Sequence, residues 1–205
     1  MHALLLSFGV IFVAELGDKS QLMALAFAAR YKARQVLIGI VIATAVVHAV
    51  SVGIGAVLGQ AIPTRAISIV AGVAFLGFAA WTMRGDTLDE DEAALAERST
   101  RSAVVAASIA FFLAELGDKT MLATITLATT QSAVGTWAGS TLGMVAADAL
   151  AIIVGKQLGA RLPERAIKIG ASVAFVVFGV LLLIQGARGR LTHGIGARLV
   201  GRFRP

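Results

Sequence analysis

Nine residues, Phe12-Val-Ala-Glu-Leu-Gly-Asp-Lys-Ser20, return 100 positions later as Phe112-Leu-Ala-Glu-Leu-Gly-Asp-Lys-Thr120. The offset holds well beyond this motif: Gly39 matches Gly139, Gly55 matches Gly155, Gly59 matches Gly159, and Pro63-Thr-Arg-Ala-Ile67 matches Pro163-Glu-Arg-Ala-Ile167. A chain that repeats in one register over most of its length is built from two copies of one unit. Each copy carries three apolar segments: Ala3–Ala29, Val36–Gly59 and Ala66–Met83, then Ala103–Thr130, Val134–Gly159 and Ala166–Gly186. At ~1.5 Å per residue, each is long enough to cross a hydrocarbon core of ~30 Å. The sequence therefore predicts an all-α polytopic membrane protein with six transmembrane helices.

Composition agrees. Hydrophobic residues make up 58% of the chain and charged residues only 15%, against about 25% charged in soluble domains. An ordinary soluble α/β enzyme and a disordered chain are both excluded. With no Cys, so are a disulfide framework and a thiolate metal site. The first segment lacks the basic start of a cleaved signal peptide and is too long for one. The net charge of +6 reads as loop topology and not as a nucleic-acid footprint.

Three is an odd number of crossings, so the second copy enters the membrane upside down. Two inverted three-helix repeats are a common plan of secondary transporters, with the substrate site near the midplane between them. The expected organisation is a first repeat over 1–85, an acidic central loop over 86–102, a second, inverted repeat over 103–186 and a basic tail over 187–205. Loop charges favour the inversion. Arg30, Lys32 and Arg34 join the first two segments of copy one, whereas the matching link in copy two has no basic residue. At the next link the bias reverses, with Arg65 alone against Lys156, Arg161, Arg165 and Lys168. By the positive-inside rule the central loop is cytoplasmic and both termini are outside. The tail arginines, Arg188 to Arg204, run against this assignment; they suit lipid headgroups or a disordered tail.

Five of the twelve acidic residues sit inside apolar segments: Glu15, Asp18, Glu115, Asp118 and Asp148. A charge at a membrane-helix centre costs roughly 2.5–3.5 kcal/mol, so four ionised, unpaired motif carboxylates would cost on the order of 10–14 kcal/mol. Packing alone does not explain that penalty at two matching places. On a continuous helix, Glu15 and Asp18 share one face, as do Glu115 and Asp118. Inverted symmetry then lets the four carboxylates converge. Such an oxygen cluster suits Ca²⁺, Mn²⁺ or Mg²⁺.

Other residues extend this candidate site. Gly17 and Gly117 permit close helix approach or local unwinding. Ser20 and Thr120 are candidate hydroxyl ligands, or bond back to their helices. Gln21 follows the first motif, where the second has Met121. Lys19 and Lys119 compensate charge, and Asp148 and its matched residue His48 are candidates for metal binding or proton relay. Gly55-x₃-Gly59 and Gly155-x₃-Gly159 read as small-residue helix interfaces, and Pro63 and Pro163 as helix starts. The acids of the central loop, Asp86 to Glu97, read as a solvated linker.

The doubled Glu-Leu-Gly-Asp-Lys-[Ser/Thr] signature resembles that of the cation/proton exchanger family of Golgi manganese/calcium transporters and bacterial MneA-type manganese exporters. The resemblance covers nearly the whole chain. It implies exchange of Mn²⁺ or Ca²⁺ for H⁺ and a metal-binding role for Glu15, Asp18, Glu115 and Asp118. The expected function is Mn²⁺/H⁺ antiport that exports manganese from a bacterial cytoplasm, with the protein in the inner membrane, no organic cofactor and no nucleic-acid partner. The bacterial setting follows from a compact chain with no organelle-targeting extension. An exporter of another small solute and a membrane-embedded non-transport protein are the rivals. An enzyme is not expected, because no H-E-x-x-H motif or Ser/His nucleophile set is present.

Overall fold

The computed structural model describes residues 1–84, 102–158 and 164–200. These residues form eight helices and no strand: α1 (His2–Glu15), α2 (Lys19–Arg30), α3 (Ala33–Ala61), α4 (Thr64–Arg84), α5 (Ala103–Glu115), α6 (Lys119–Ala128), α7 (Ala133–Leu158) and α8 (Glu164–Val200). Their order repeats at the same offset as the sequence, with α1 to α4 matching α5 to α8.

The first and fourth apolar segments are not single helices. Leu16 turns extended (φ −63°, ψ 117°) and Gly17 takes φ +75°. Leu116 (φ −66°, ψ 115°) and Gly117 (φ +81°) do the same in the second copy. A positive φ is open to glycine and strained for other residues, so each motif glycine ends one helix and lets the next begin. This corrects the expectation of unbroken helices over Ala3–Ala29 and Ala103–Thr130, and with it the argument from i, i+3 spacing on one helical face.

Four helical stretches are long and apolar enough to cross a membrane: Ala33–Ala61, Arg65–Arg84, Ala133–Gly155 and Ile169–Ala187. At 14 and 13 residues, α1 and α5 are apolar but shorter. The outward faces carry large apolar side chains, including Ile42, Val46 and Val50 on α3 and Val173, Val177 and Leu181 on α8, all exposed. Such bands belong against lipid and not water. Helix α8 continues past Gly186 through part of the basic tail to Val200. The central-loop acids, Pro163, Gly159 and the side chains of the tail arginines lie outside the described residues.

Each short first helix packs on the other half's long helix: α1 lies along α7, and α5 along α3. Glycine makes both contacts possible. A Cβ on Gly39 would come within 2.6 Å of Ala107 Cβ, and one on the matched Gly139 would collide with the Leu4 carbonyl. The small-residue interfaces read from the sequence recur here, with Gly55 against Ile125 and Ala128, Gly59 against Thr129, and Gly155 against Leu25. Helices α4 and α8 pair along their length around Phe75, Phe78, Phe175 and Phe178, with ring centroids 5.6–6.1 Å apart. Edge-on and tilted ring contacts of this kind add to simple burial.

Candidate metal site at the two helix breaks

At each break a helix C-terminus meets a helix N-terminus. Glu15 is the last residue of α1 and Asp18 the N-cap of α2; Glu115 and Asp118 hold the same places at α5 and α6. The turns are closed by Asp18 N–H to Glu15 O (3.1 Å) and Asp118 N–H to Glu115 O (3.3 Å). Asp at an N-cap normally accepts a hydrogen bond from its own helix. Neither Asp18 nor Asp118 does so; Asp18 pairs instead with Lys119 of the other half. The positive ends of the α2 and α6 dipoles point at the same place and favour anionic side chains there.

All five intramembrane acids are buried; Asp118, the most accessible, is 4% exposed. One carboxylate oxygen each from Glu15, Asp18 and Glu115 lies within 4.8 Å of the other two, close enough for one ion to touch all three. Asp118 stands outside this trio, although its charge acts on Glu115. Asp148 acts on both glutamates. The expected convergence of four motif carboxylates is thus three at contact range, with Asp118 and Asp148 around them. The hydroxyls of Ser20 and Thr120 donate to Oε2 of Glu15 and Glu115, the latter at 2.8 Å. Oε1 of both glutamates and both oxygens of Asp148 are buried without a hydrogen-bond partner. Ser20 also lies beside Asp148, but its single proton goes to Glu15. Buried acceptors left without donors are costly. A divalent cation or protons would satisfy them.

The flanking residues divide into distinct roles. Lys119 is buried and ion-pairs with Asp18 across the interface between the halves, whereas Lys19 is only half-buried. The Gln21 amide accepts from Gly17 N–H at 2.9 Å and donates to Ala147 O at 3.1 Å. It braces the first break against α7. At the second break, Gly117 N–H meets Met121 Sδ at 3.2 Å, a weaker acceptor. His48 is buried in α3 with Nδ1 3.3 Å from Thr141 Oγ1 and belongs to no carboxylate cluster among the described residues.

Sequence reasoning missed the hydroxyls of Ser7, Thr124, Thr136 and Ser140, all buried without a hydrogen-bond partner. A signal was present: at the 100-residue offset their counterparts are Ala107, Ala24, Val36 and Ile40, all apolar.

The family model described as divalent cation/proton antiporter GDT1 matches residues 3–90 and 103–190, the two copies of the repeat. A protein named "Putative manganese exporter" from Vibrio cholerae serotype O1 is 36% identical over 166 residues, covering 80% of this chain and 81% of its own. A GDT1-like protein of Synechocystis sp. is 32% identical over 190 residues, covering 84% of this chain and 92% of its own. A GDT1-like protein of Oryza sativa subsp. indica is 29% identical over 201 residues, covering 87% and 72%. No solved structure matches the chain.

Proposed function

The chain belongs to the divalent cation/proton antiporter family GDT1, and from that premise we propose that it exchanges Mn²⁺ for H⁺ and exports manganese from a bacterial cytoplasm. It is an integral membrane transporter; the cation, the direction and the membrane are the proposal. The single observation that carries it is the trio of Glu15, Asp18 and Glu115 oxygens within 4.8 Å, buried between the two halves. All-oxygen donors suit a hard or borderline-hard divalent ion. The similarity to the Vibrio protein favours Mn²⁺ among these.

In this reading each half crosses the membrane three times, with α1–α2 and α5–α6 crossing as broken pairs. The halves are inverted, the central loop is cytoplasmic and both termini are outside. Broken helices whose ends meet at mid-membrane supply ion sites in many secondary transporters. Glu15, Asp18 and Glu115 hold the metal, and Asp118 and Asp148 complete its shell or carry protons. Lys119 occupies Asp18 when metal is away. Metal binding requires deprotonated ligands, so each ion that enters releases protons. Charge in a site shielded from water is costly, so protons return once the ion has left. Alternating access turns that competition into exchange. The protein acts as a transporter and not an enzyme.

Vesicles reconstituted with the protein test this under an imposed pH gradient, with Mn²⁺, Ca²⁺ and Mg²⁺ offered in turn. The expected result is saturable Mn²⁺ flux coupled to opposite proton movement and slowed when the gradient is collapsed. Flux of another solute with no divalent-ion dependence would favour the rival exporter.

A further inference from the structure

Helices α4 and α8 pair along their length, but each touches the remaining helices only sparsely. Helix α4 therefore leans away from α6 instead of packing on it, and a slot of about 290 Å³ stays open along the seam. Every fourth residue of α4 lines it, namely Ala66, Val70, Ala74 and Phe78, with Ile62 from the end of α3 and Leu122 from α6. Two of the four α4 residues are alanine, and a ridge of so little bulk does not fill the groove opposite. The lining is apolar apart from the hydroxyls of Thr126 and Thr129. Ile62, Val70 and Leu122 are exposed, so the slot opens sideways, toward lipid.

The dimensions of the slot select its occupant. From Ala66 to Phe78 the rise along α4 is ~18 Å, close to the ~15 Å that one leaflet contributes to a ~30 Å hydrocarbon core. A volume of about 290 Å³ drawn out over that length is roughly 4–5 Å across, whereas a helix with its side chains needs ~10–12 Å. One alkyl chain fits such a space; a helix of a second copy does not. Phe78 closes the inner end, its ring edge-on to Phe75 and Phe175. The mouth lies at the membrane face where α3 ends and α4 begins, because Gly59 of α3 sits against Thr129 of the lining.

One charge stands at that mouth. Arg65 is exposed, one residue before Ala66. Neither the α3–α4 link, residues 59–66, nor the α6–α7 link, residues 129–134, holds any other charged residue. Among the described residues Arg65 forms no ion pair. A guanidinium without an acid at the membrane face is a ready partner for a lipid phosphate. We infer that the slot binds one phospholipid with an anionic headgroup, its acyl chain between α4 and α6 and its phosphate beside Arg65. Leu122 follows Lys119 by three residues on α6, so the bound chain supports the helix that presents Lys119 to Asp18. The site stands whichever ion the protein carries.

Native mass spectrometry tests the site, on protein equilibrated in detergent with phosphatidylglycerol and phosphatidylcholine together. The wild type should keep one phosphatidylglycerol in preference to phosphatidylcholine. Arg65→Gln should weaken that retention roughly fivefold, the worth of one basic group beside an anionic lipid. Ala66→Trp fills the mouth and should remove bound lipid of either kind. Arg84→Gln, at the exposed far end of α4, should behave as the wild type. Arg65 and Ala66 are both exposed, and a melting curve shows that each variant is folded; Ala66→Leu serves if Ala66→Trp is not. Equal retention of the two lipids by the wild type overturns the site. So does wild-type retention in Arg65→Gln or in the folded Ala66 variant, or an equal loss in Arg84→Gln. A wild-type dimer that the Ala66 variant splits would put a second copy in the slot and overturn it as well.

Discussion

The two breaks carry nearly the same motif but sit in different surroundings. At the first, Gly17 is held by the Gln21 amide, the following lysine is half-buried, and Asp148 of α7 lies beside Ser20. At the second, Gly117 meets the Met121 thioether and Lys119 is buried against Asp18. Equal motifs thus supply equal charge, while unequal neighbours decide what each charge does. Asp18 is tied to a lysine of the other half. Glu15 and Glu115 each take one hydroxyl donor on Oε2 and keep Oε1 without a hydrogen-bond partner.

The largest effect expected from this comparison is loss of the trio. Glu15→Gln, Glu115→Gln and Asp18→Asn each remove one of three contact-range carboxylates. Each should weaken apparent Mn²⁺ affinity by about 100-fold or more, since even groups that only support a metal ligand are worth 10–100-fold. Asp118→Asn should also abolish useful flux but leave more binding, because Asp118 lies outside the trio. Isothermal titration beside vesicle flux separates the two; equal binding losses for Asp18→Asn and Asp118→Asn would erase the asymmetry.

Removing the lysines comes next. Lys119→Met leaves Asp18 buried without its ion pair, a change that costs roughly 3–5 kcal/mol at buried pairs. Lys19→Met, at a half-buried position, should cost much less. Mn²⁺ should restore more of the thermal stability of Lys119→Met than of the wild type, because the ion replaces the missing cation. A melting series with and without Mn²⁺ checks this, and equal destabilisation by both variants would count against it.

Smaller again is the backbone term. Gly117 has φ +81° and open space where a Cβ would go, so Gly117→Ala should lose only the conformational cost of a left-handed residue, about 1–2 kcal/mol. The smallest effect is the exchange of braces. Gln21→Met leaves the Ala147 carbonyl without this donor and weakens the Gly17 contact, at about 0.5–1.5 kcal/mol per hydrogen bond. The reverse change, Met121→Gln, should be neutral or stabilising. Denaturation in detergent distinguishes the pair.

Much of this was legible in the residues. The Phe12–Ser20 and Phe112–Thr120 copies and the apolar runs gave a helical membrane protein with two acidic centres. The break was less legible. Gly17 and Gly117 raised local unwinding, but period-3.6 reasoning across Glu15 and Asp18 assumed a continuous helix, and a positive φ leaves no mark on hydrophobic periodicity. The exchanged packing of α1 on α7 and α5 on α3 depends on close approach at Gly39 and Gly139, and a glycine in a sequence does not name the backbone it approaches. Lys119 read as charge compensation with no partner named; the structure pairs it with Asp18, 101 residues away, beyond any spacing rule. Ser7, Thr136 and Ser140 passed unnoticed because a hydroxyl in an apolar helix usually bonds to its own backbone.

Proton release measures the central claim most directly. Purified protein in weakly buffered detergent solution is titrated with Mn²⁺ while pH is followed. If metal and protons compete for Glu15, Asp18 and Glu115, each ion bound displaces protons. Acidification should then saturate with binding, apparent affinity should weaken as pH falls, and both effects should vanish in Glu15→Gln combined with Glu115→Gln. Saturable Mn²⁺ binding with no proton released, and with an affinity indifferent to pH, would contradict the account and make the protein a binder or uniporter of the ion and not an exchanger.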